Sequence, residues 1–308
     1  MISKYMRGRL GNQLFQYATI RKIQICNDNK DEINLNFSKY VYSKNFENEL
    51  KYFKINKYSE VNKINLSPIQ YILIIYYKII KRIIRLICPK KYYDMRYRYE
   101  DKNALFLIKN GIYWKEDGKA LIKSTKCKNK IVIGHYESKE NFDSIREILL
   151  SEIEPKEKPL EKNSELYKVI NNNNSVCVSI RRGDFITNPE FNKKFNVCGK
   201  KYFENAVKVM NTKVKNPVYI IFSDDIEWCK ENIKFSNNLY FEDGTDPVWE
   251  KLRLMYSCKH FIISNSTFSW WAQYLSRNNS KIVIAPEIWR NIGYTKDIYD
   301  KNWVIVKN

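Results

Sequence analysis

The chain has 308 residues, with 54 Lys and Arg against 34 Asp and Glu and a net charge of +20. That length buries a sizeable core and suits two domains or one large α/β domain, and the 44% hydrophobic, 15% aromatic composition excludes a disordered chain. The basic excess points to an anionic partner, whether nucleic acid, acidic lipid or a phosphorylated small molecule. The lysines are spread along the chain rather than gathered in one tail, which argues against a nucleic-acid arm.

The start reads as strand, loop, helix. "ISKYM" is short and extended, "RGRLGNQ" carries two glycines, and "LFQYATIRKIQI" has helical spacing at Leu14, Tyr17, Ala18, Arg21 and Ile25. No apolar export segment opens the sequence, so a cytoplasmic location is expected. The cysteines at 26, 88, 127, 177, 198, 229 and 258 show neither CxxC pairing nor metal-ligand spacing, and reduced, buried thiols are expected. Two histidines, His135 and His260, are too few for a His-ligated metal centre. From about Ser38 to Asn65 the chain is polar and turn-rich.

A basic amphipathic helix follows at about 68–88, "PIQYILIIYYKIIKRIIRLIC". On a helical wheel Lys78, Lys81, Arg82 and Arg85 take one face. Ile72, Leu73, Tyr76, Ile79, Ile80, Ile83, Ile84 and Ile87 take the other. Its uncharged run is well short of the ~20 apolar residues of a spanning helix. Two readings fit: a helix packed on the core with a solvated basic side, or one resting on an anionic membrane at the inner face. The next run, "KKYYDMRYRYE", adds cations and tyrosines and favours the second.

"KIVIGHYES" reads as a strand entering a loop, and "FDSIREILLSEI" as a helix. The charged stretch 154–165, with two prolines, is the expected linker between domains at 1–153 and 166–308. Beyond it "SVCVSI", "VYIIFSD", "HFIIS" and "KIVIAP" alternate with helical stretches, the pattern of a parallel sheet covered on both faces. The second half is therefore expected to be a Rossmann-like domain.

Ligands of such sheets collect at the carboxyl ends of the strands. There the chain places "RRGDF", "SDD" and "SNSTFS". Arg181 and Arg182 leave a buried strand, and guanidinium groups give bidentate contacts to phosphate. A structural ion pair with Asp184 is the competing reading. Asp224 and Asp225 read as a helix N-cap with a first-turn acid. Ser266 and Thr267 open a helix whose amides suit a phosphate, although simple capping also accounts for them.

"GRLGNQLFQYA" at 8–18, "VSIRRGDF" at 178–185 and "SNSTFSWWAQYL" at 264–275 resemble the three signature motifs of the family 11 glycosyltransferases, the α-1,2-fucosyltransferases. The resemblance implies an α/β, GT-B-like fold, two Rossmann-like domains facing across a cleft. It also implies an inverting transfer of L-fucose from GDP-β-L-fucose to a galactoside hydroxyl of a glycan acceptor, without a metal or other cofactor. It assigns donor contacts to Arg9, Gly11, Asn12, Gln13, Arg181, Arg182, Ser223, Glu250, Asn265, Ser266, Thr267 and Phe268. The resemblance implies Arg181 as the pyrophosphate contact at the leaving group. Asp184, Glu137 and His135 are, by their chemistry, the candidates for the acceptor's proton sink, and His135 and Tyr136 the candidate acceptor contacts. Two positions depart from the family pattern: Ser179 stands where a histidine is usual, and Phe185 where a tyrosine is. Glu137 stands where the family usually has glutamine. The alternatives are a same-fold transferase using another GDP-sugar or linkage, or a non-enzymatic basic protein binding membrane or nucleic acid through charge.

Overall fold

The structure is a computed structural model that describes residues 1–38, 47–235, 238–293 and 296–308. Residues 39–46 of the polar stretch read above lie outside the described residues. The chain divides into two compact units, Met1–Glu154 with Gly293–Tyr299, and Pro155–Ile292 with Asp300–Asn308.

The first unit runs β1 (Ile2–Tyr5), α1 (Leu10–Cys26), β2 (Ile33–Asn36), β3 (Tyr58–Glu60), α2 (Pro68–Ile87), α3 (Tyr92–Lys109), β4 (Ile112–Trp114), β5 (Lys130–Ile133) and α4 (Arg146–Glu152). Its strands form a parallel sheet in the order β3-β2-β1-β5-β4. Helix α1 is buried nearly all round, with Leu14, Phe15, Tyr17, Ala18, Ile20 and Ile23 sealed from solvent, as suits a helix inside a domain. It begins at Leu10, so Gly11, Asn12 and Gln13 lie in its first turn rather than in the loop expected.

Helix α2 starts at a capping box: Ser67 accepts from the Gln70 amide at 3.4 Å, the Gln70 side chain accepts from the Ser67 amide at 3.1 Å, and Pro68 fills the first turn. Its orientation overturns one reading of the sequence. The buried positions are Gln70, Ile74 and Tyr77. Lys81, expected on a solvated side, turns inward to Glu116 at 2.5 Å and over the Trp114 ring. Most of the apolar face points outward.

The second unit runs α5 (Ser164–Asn172), β6 (Asn174–Ile180), α6 (Gly183–Thr187), α7 (Pro189–Phe195), α8 (Lys200–Lys213), β7 (Pro217–Ser223), α9 (Ile226–Asn232), β8 (Leu239–Phe241), α10 (Val248–Ser257), β9 (His260–Ile263), α11 (Thr267–Leu275), β10 (Val283–Pro286) and β11 (Val304–Val306). All its pairings are parallel, in the order β11-β10-β9-β6-β7-β8. Numbered within the unit, that is the 3-2-1-4-5-6 order of a Rossmann fold. The core joins Val176, Val178, Ile221, Ile262 and Ile284 of the sheet to Tyr202, Phe203 and Met210 of α8, each apolar side chain contributing about 1.5–3 kcal/mol. Trp270 and Trp271 of α11 are also buried. The strand order reverses between β6 and β9, and the crevice beyond their carboxyl ends is where such sheets bind ligands.

Candidate active site

Strand β6 is buried from Ser175 to its end at Ile180, so the next two residues emerge at the crevice. Arg181 places one terminal nitrogen 2.5 Å from Asp184 Oδ1 and the other 2.7 Å from Asp224 Oδ2. Arg182 pairs through Nε with Asp225 Oδ2 at 3.0 Å, and its guanidinium carbon sits 3.5 Å above the Trp228 ring. The Arg182 amide also donates to Asp224 Oδ1 at 2.8 Å. Both arginines keep about a fifth of their side-chain surface open, 20% and 21%. A guanidinium carries five N–H donors, so Arg181 retains donors beyond those held by its two aspartates.

The expected cap is corrected by this arrangement. Asp225 occupies the cap position of α9, but its carboxylate makes no cap bond. Ser223 supplies the local contact by accepting from the Asp225 amide at 3.0 Å. The two carboxylates instead fix the arginines. Gly183 follows from that: a Cβ there would lie 2.2 Å from Asp224 Oδ2. Trp228 escaped sequence reasoning because it comes from α9, after the next strand, with no local signal tying it to Arg182.

On the neighbouring strand end, Ser266 caps α11, accepting from the Phe268 amide at 3.3 Å, and Ser266, Thr267 and Phe268 stay half-buried. Asn265 turns inward, donating to the Phe195 and Trp289 carbonyls at 2.9 Å each, so its amide joins loops rather than facing the crevice. Ser179, where the family pattern has histidine, lies 2.6 Å from Ser269 Oγ, and Ser264 Oγ lies 3.2 Å from the same atom. Position 179 is thus buried in a serine cluster under α11. Phe185 stacks on Phe195 at 5.0 Å.

Glu250 is also not where a donor contact was expected. It is fully buried and accepts from the Leu160 amide, Asn163, Tyr167 and Arg253 at 2.9–3.2 Å. These bonds tie residues 160–167 to α10. Nearby, carboxylate oxygens of Glu242, Asp243 and Asp246 lie within 4.8 Å of one another. Lysine ammoniums occupy that cluster: Lys162 at 2.8 Å from Asp243 and Asp246, and Lys251 at 3.0 Å from Glu242.

In the first unit the strand numbering jumps between the adjacent central strands β1 and β5 without reversing. The Gln13 amide is sealed from solvent, donating to the Gly8 and Glu47 carbonyls at 2.9 and 2.7 Å and accepting from the Glu49 amide at 3.0 Å. The Leu10 amide donates to Glu49. Gly8 has φ +75°, and a Cβ there would meet Asn12 Nδ2 at 2.4 Å. Gly11 is buried, whereas Asn12 is half-buried and Arg9 exposed. Tyr136 is an internal strut too, with φ +61° and its hydroxyl donating to the Tyr113 carbonyl at 2.7 Å. His135 and Glu137 stay partly open. Burial pushes the His135 imidazole pKa down, against the pull of Glu137, Asp117 and Glu116.

Glu116, just past β4, was not singled out because the three-residue strand "IYW" carries no periodic signal. Burial raises its carboxyl, but Lys81, His135 and Arg7 outweigh that and hold it at about 2. Glu100 is pushed up by burial, only partly countered by Arg96, to about 7.

The sequence model of Glycosyl transferase family 11 matches residues 1–307. The chain belongs to that family. It is 38% identical over 133 residues to an α-1,2-colitosyltransferase from Escherichia coli, covering 41% of this chain and 44% of that one. It is 33% identical over 104 residues to human galactoside α-(1,2)-fucosyltransferase 1, covering 33% of this chain and 28% of that one. The aligned region thus spans about half or less of the length of these relatives. Among solved structures, the fucosyltransferase NodZ from Bradyrhizobium superposes with a TM-score of 0.50 at 12% identity, over 88% of this chain and 92% of that one. That likeness places the fold, α/β and GT-B-like with two Rossmann-like units.

Proposed function

We propose that the protein is an inverting α-1,2-fucosyltransferase, moving L-fucose from GDP-β-L-fucose to a galactoside hydroxyl. The observation that carries this is that Arg181 and Arg182 leave β6, and α11 starts after β9, at adjacent strand ends where the order of a Rossmann-type sheet reverses. Together with the family membership, it favours a nucleoside diphosphate at this rim.

In the reaction, the bond from the sugar's anomeric carbon to the β-phosphate oxygen breaks as the acceptor oxygen attacks the opposite face. The transition state is oxocarbenium-like, as in inverting glycoside hydrolysis. Negative charge grows on the departing GDP, so cations already aimed there stabilise the transition state more than the ground state. Arg181 and Arg182 supply that charge, with the amides of α11 beside them, and in this reading no metal is needed. Asp184 and Asp224 act as positioning residues that hold the Arg181 guanidinium in one orientation. The acceptor proton needs a sink within hydrogen-bond reach. With Asp184 engaged by Arg181, Glu137 and His135 are the groups this reading names, and burial, which lowers the imidazole pKa, favours the form of His135 that can accept a proton.

A second reading is a colitosyl donor, favoured by the relative named as an α-1,2-colitosyltransferase. Donor hydrolysis with a panel of GDP-sugars tests both. Turnover of GDP-fucose above the others supports the first reading, and preference for a GDP-linked colitosyl group supports the second. No turnover of any GDP-sugar overturns the assignment.

A further inference from the structure

We propose that α2 docks the protein on an anionic lipid bilayer, lying in the headgroup plane with its apolar face toward the acyl chains. The observation is an inverted amphipathy. Polar groups anchor the helix from inside: Gln70 donates to the Asn129 carbonyl at 2.9 Å and Lys81 pairs with Glu116. Tyr77 packs against Tyr99 and Trp114. The outward face carries Ile72, Ile75, Ile79, Ile83 and Leu86, with Ile72 64% and Leu86 80% exposed. At 100° per residue these five fall within a sector of about 80°. Contiguous apolar faces of this kind on a soluble surface mark a partner site.

Charge identifies the partner. Lys78, Arg82 and Arg85 border one edge of the apolar strip and are exposed, and Lys90 and Lys91 follow at the helix end. From Val61 to Tyr93 there is no Asp or Glu. A second copy docking on the same face by two-fold symmetry would bring these cations against each other with no acid to answer them. An anionic bilayer offers apolar depth and negative headgroups together, the combination an interfacial helix uses. Crossing is not part of the proposal: among the described residues no helix is long and apolar enough to span a membrane. Helix α3, packed on α2, adds exposed Met95, Leu105 and Phe106.

The test is co-sedimentation of the full chain with vesicles of phosphatidylglycerol and phosphatidylcholine, or of phosphatidylcholine alone. The protein is expected to bind the anionic vesicles, weakly the neutral ones, and to release with salt. Charge reversal at Lys78→Glu, Arg82→Glu and Arg85→Glu together is expected to lower partitioning by on the order of 10²-fold or more, since each cation near such a surface is worth roughly five-fold. Ile72→Ser, Ile79→Ser and Leu86→Ser together are expected to abolish binding. These side chains are exposed, so circular dichroism and the melting temperature are expected to be unchanged. Donor hydrolysis in solution is also expected to be unchanged, which separates failure here from failure of the proposed activity. Absent binding to anionic vesicles, or binding that survives both triple variants, overturns the proposal. So does a dimer in solution that the serine variants dissolve.

Discussion

Both units place polar residues just beyond the carboxyl ends of central strands and use them differently. At the reversal of the second unit, Arg181 and Arg182 stay partly open, braced from the side by Asp184, Asp224, Asp225 and Trp228. Beyond β1 and β5 of the first, Gln13 and Tyr136 turn inward and satisfy backbone groups. A braced cation can still meet a ligand, whereas a buried amide with every donor and acceptor committed cannot do so without leaving its own loop unsatisfied. Strand-end position alone therefore does not separate contact residues from struts; what matters is which partners the side chain already has.

Substitutions can break that contrast, beginning with the largest effect. Glu250→Ala strips the partner from Arg253 inside the second unit and is expected to cost about 3–5 kcal/mol of stability, read as a lower melting temperature. GDP affinity of the folded fraction is expected to hold; unchanged stability with lost GDP binding would return Glu250 to the donor site. Arg181→Ala is expected to lower kcat by ~10²–10³ with a near-normal melt, and near-normal turnover would remove Arg181 from the leaving-group role. Gln13→Ala is expected to cost about 1–3 kcal/mol by orphaning buried backbone groups. If it changed donor KM with stability intact, the first-unit rim would be a contact surface after all.

A further test is in acid. Glu116 has its folded pKa depressed from 4.5 to about 2, so its stabilising contribution is present above pH 4.5 and lost as pH falls toward 2. Glu116→Gln is expected to flatten the acid limb of unfolding stability between those values. An unchanged limb, with wild-type stability at neutral pH, would contradict the ion pairing with Lys81 and Arg7.

What could be read from the sequence follows from burial. The second unit's strands are covered on both faces, so "SVCVSI" and "VYIIFS" read as apolar runs and the sheet was legible. The first unit's β2, β3 and β4 are three or four residues long, and β1 buries Lys4, whose ammonium donates to the Gly134 carbonyl at 2.7 Å. Such strands leave little pattern. Helical periodicity showed two faces on α2, but it cannot say which one meets the body. Gln70 and Lys81, both polar, decided that through partners distant in sequence. The arginine pair was legible as a strand-end feature. Asp225 does take the cap position read from the sequence, but the pairing of Asp224 and Asp225 with the arginines had no local signal.

The central claim is that the Arg181–Arg182 rim holds a diphosphate. Calorimetric titration of GDP and of guanosine into the wild type and into Arg181→Ala isolates that contribution. The account predicts that GDP binds the wild type far more tightly than guanosine does, and that Arg181→Ala collapses most of the difference while leaving guanosine affinity near its original value. A GDP-to-guanosine ratio unchanged by the substitution would contradict it.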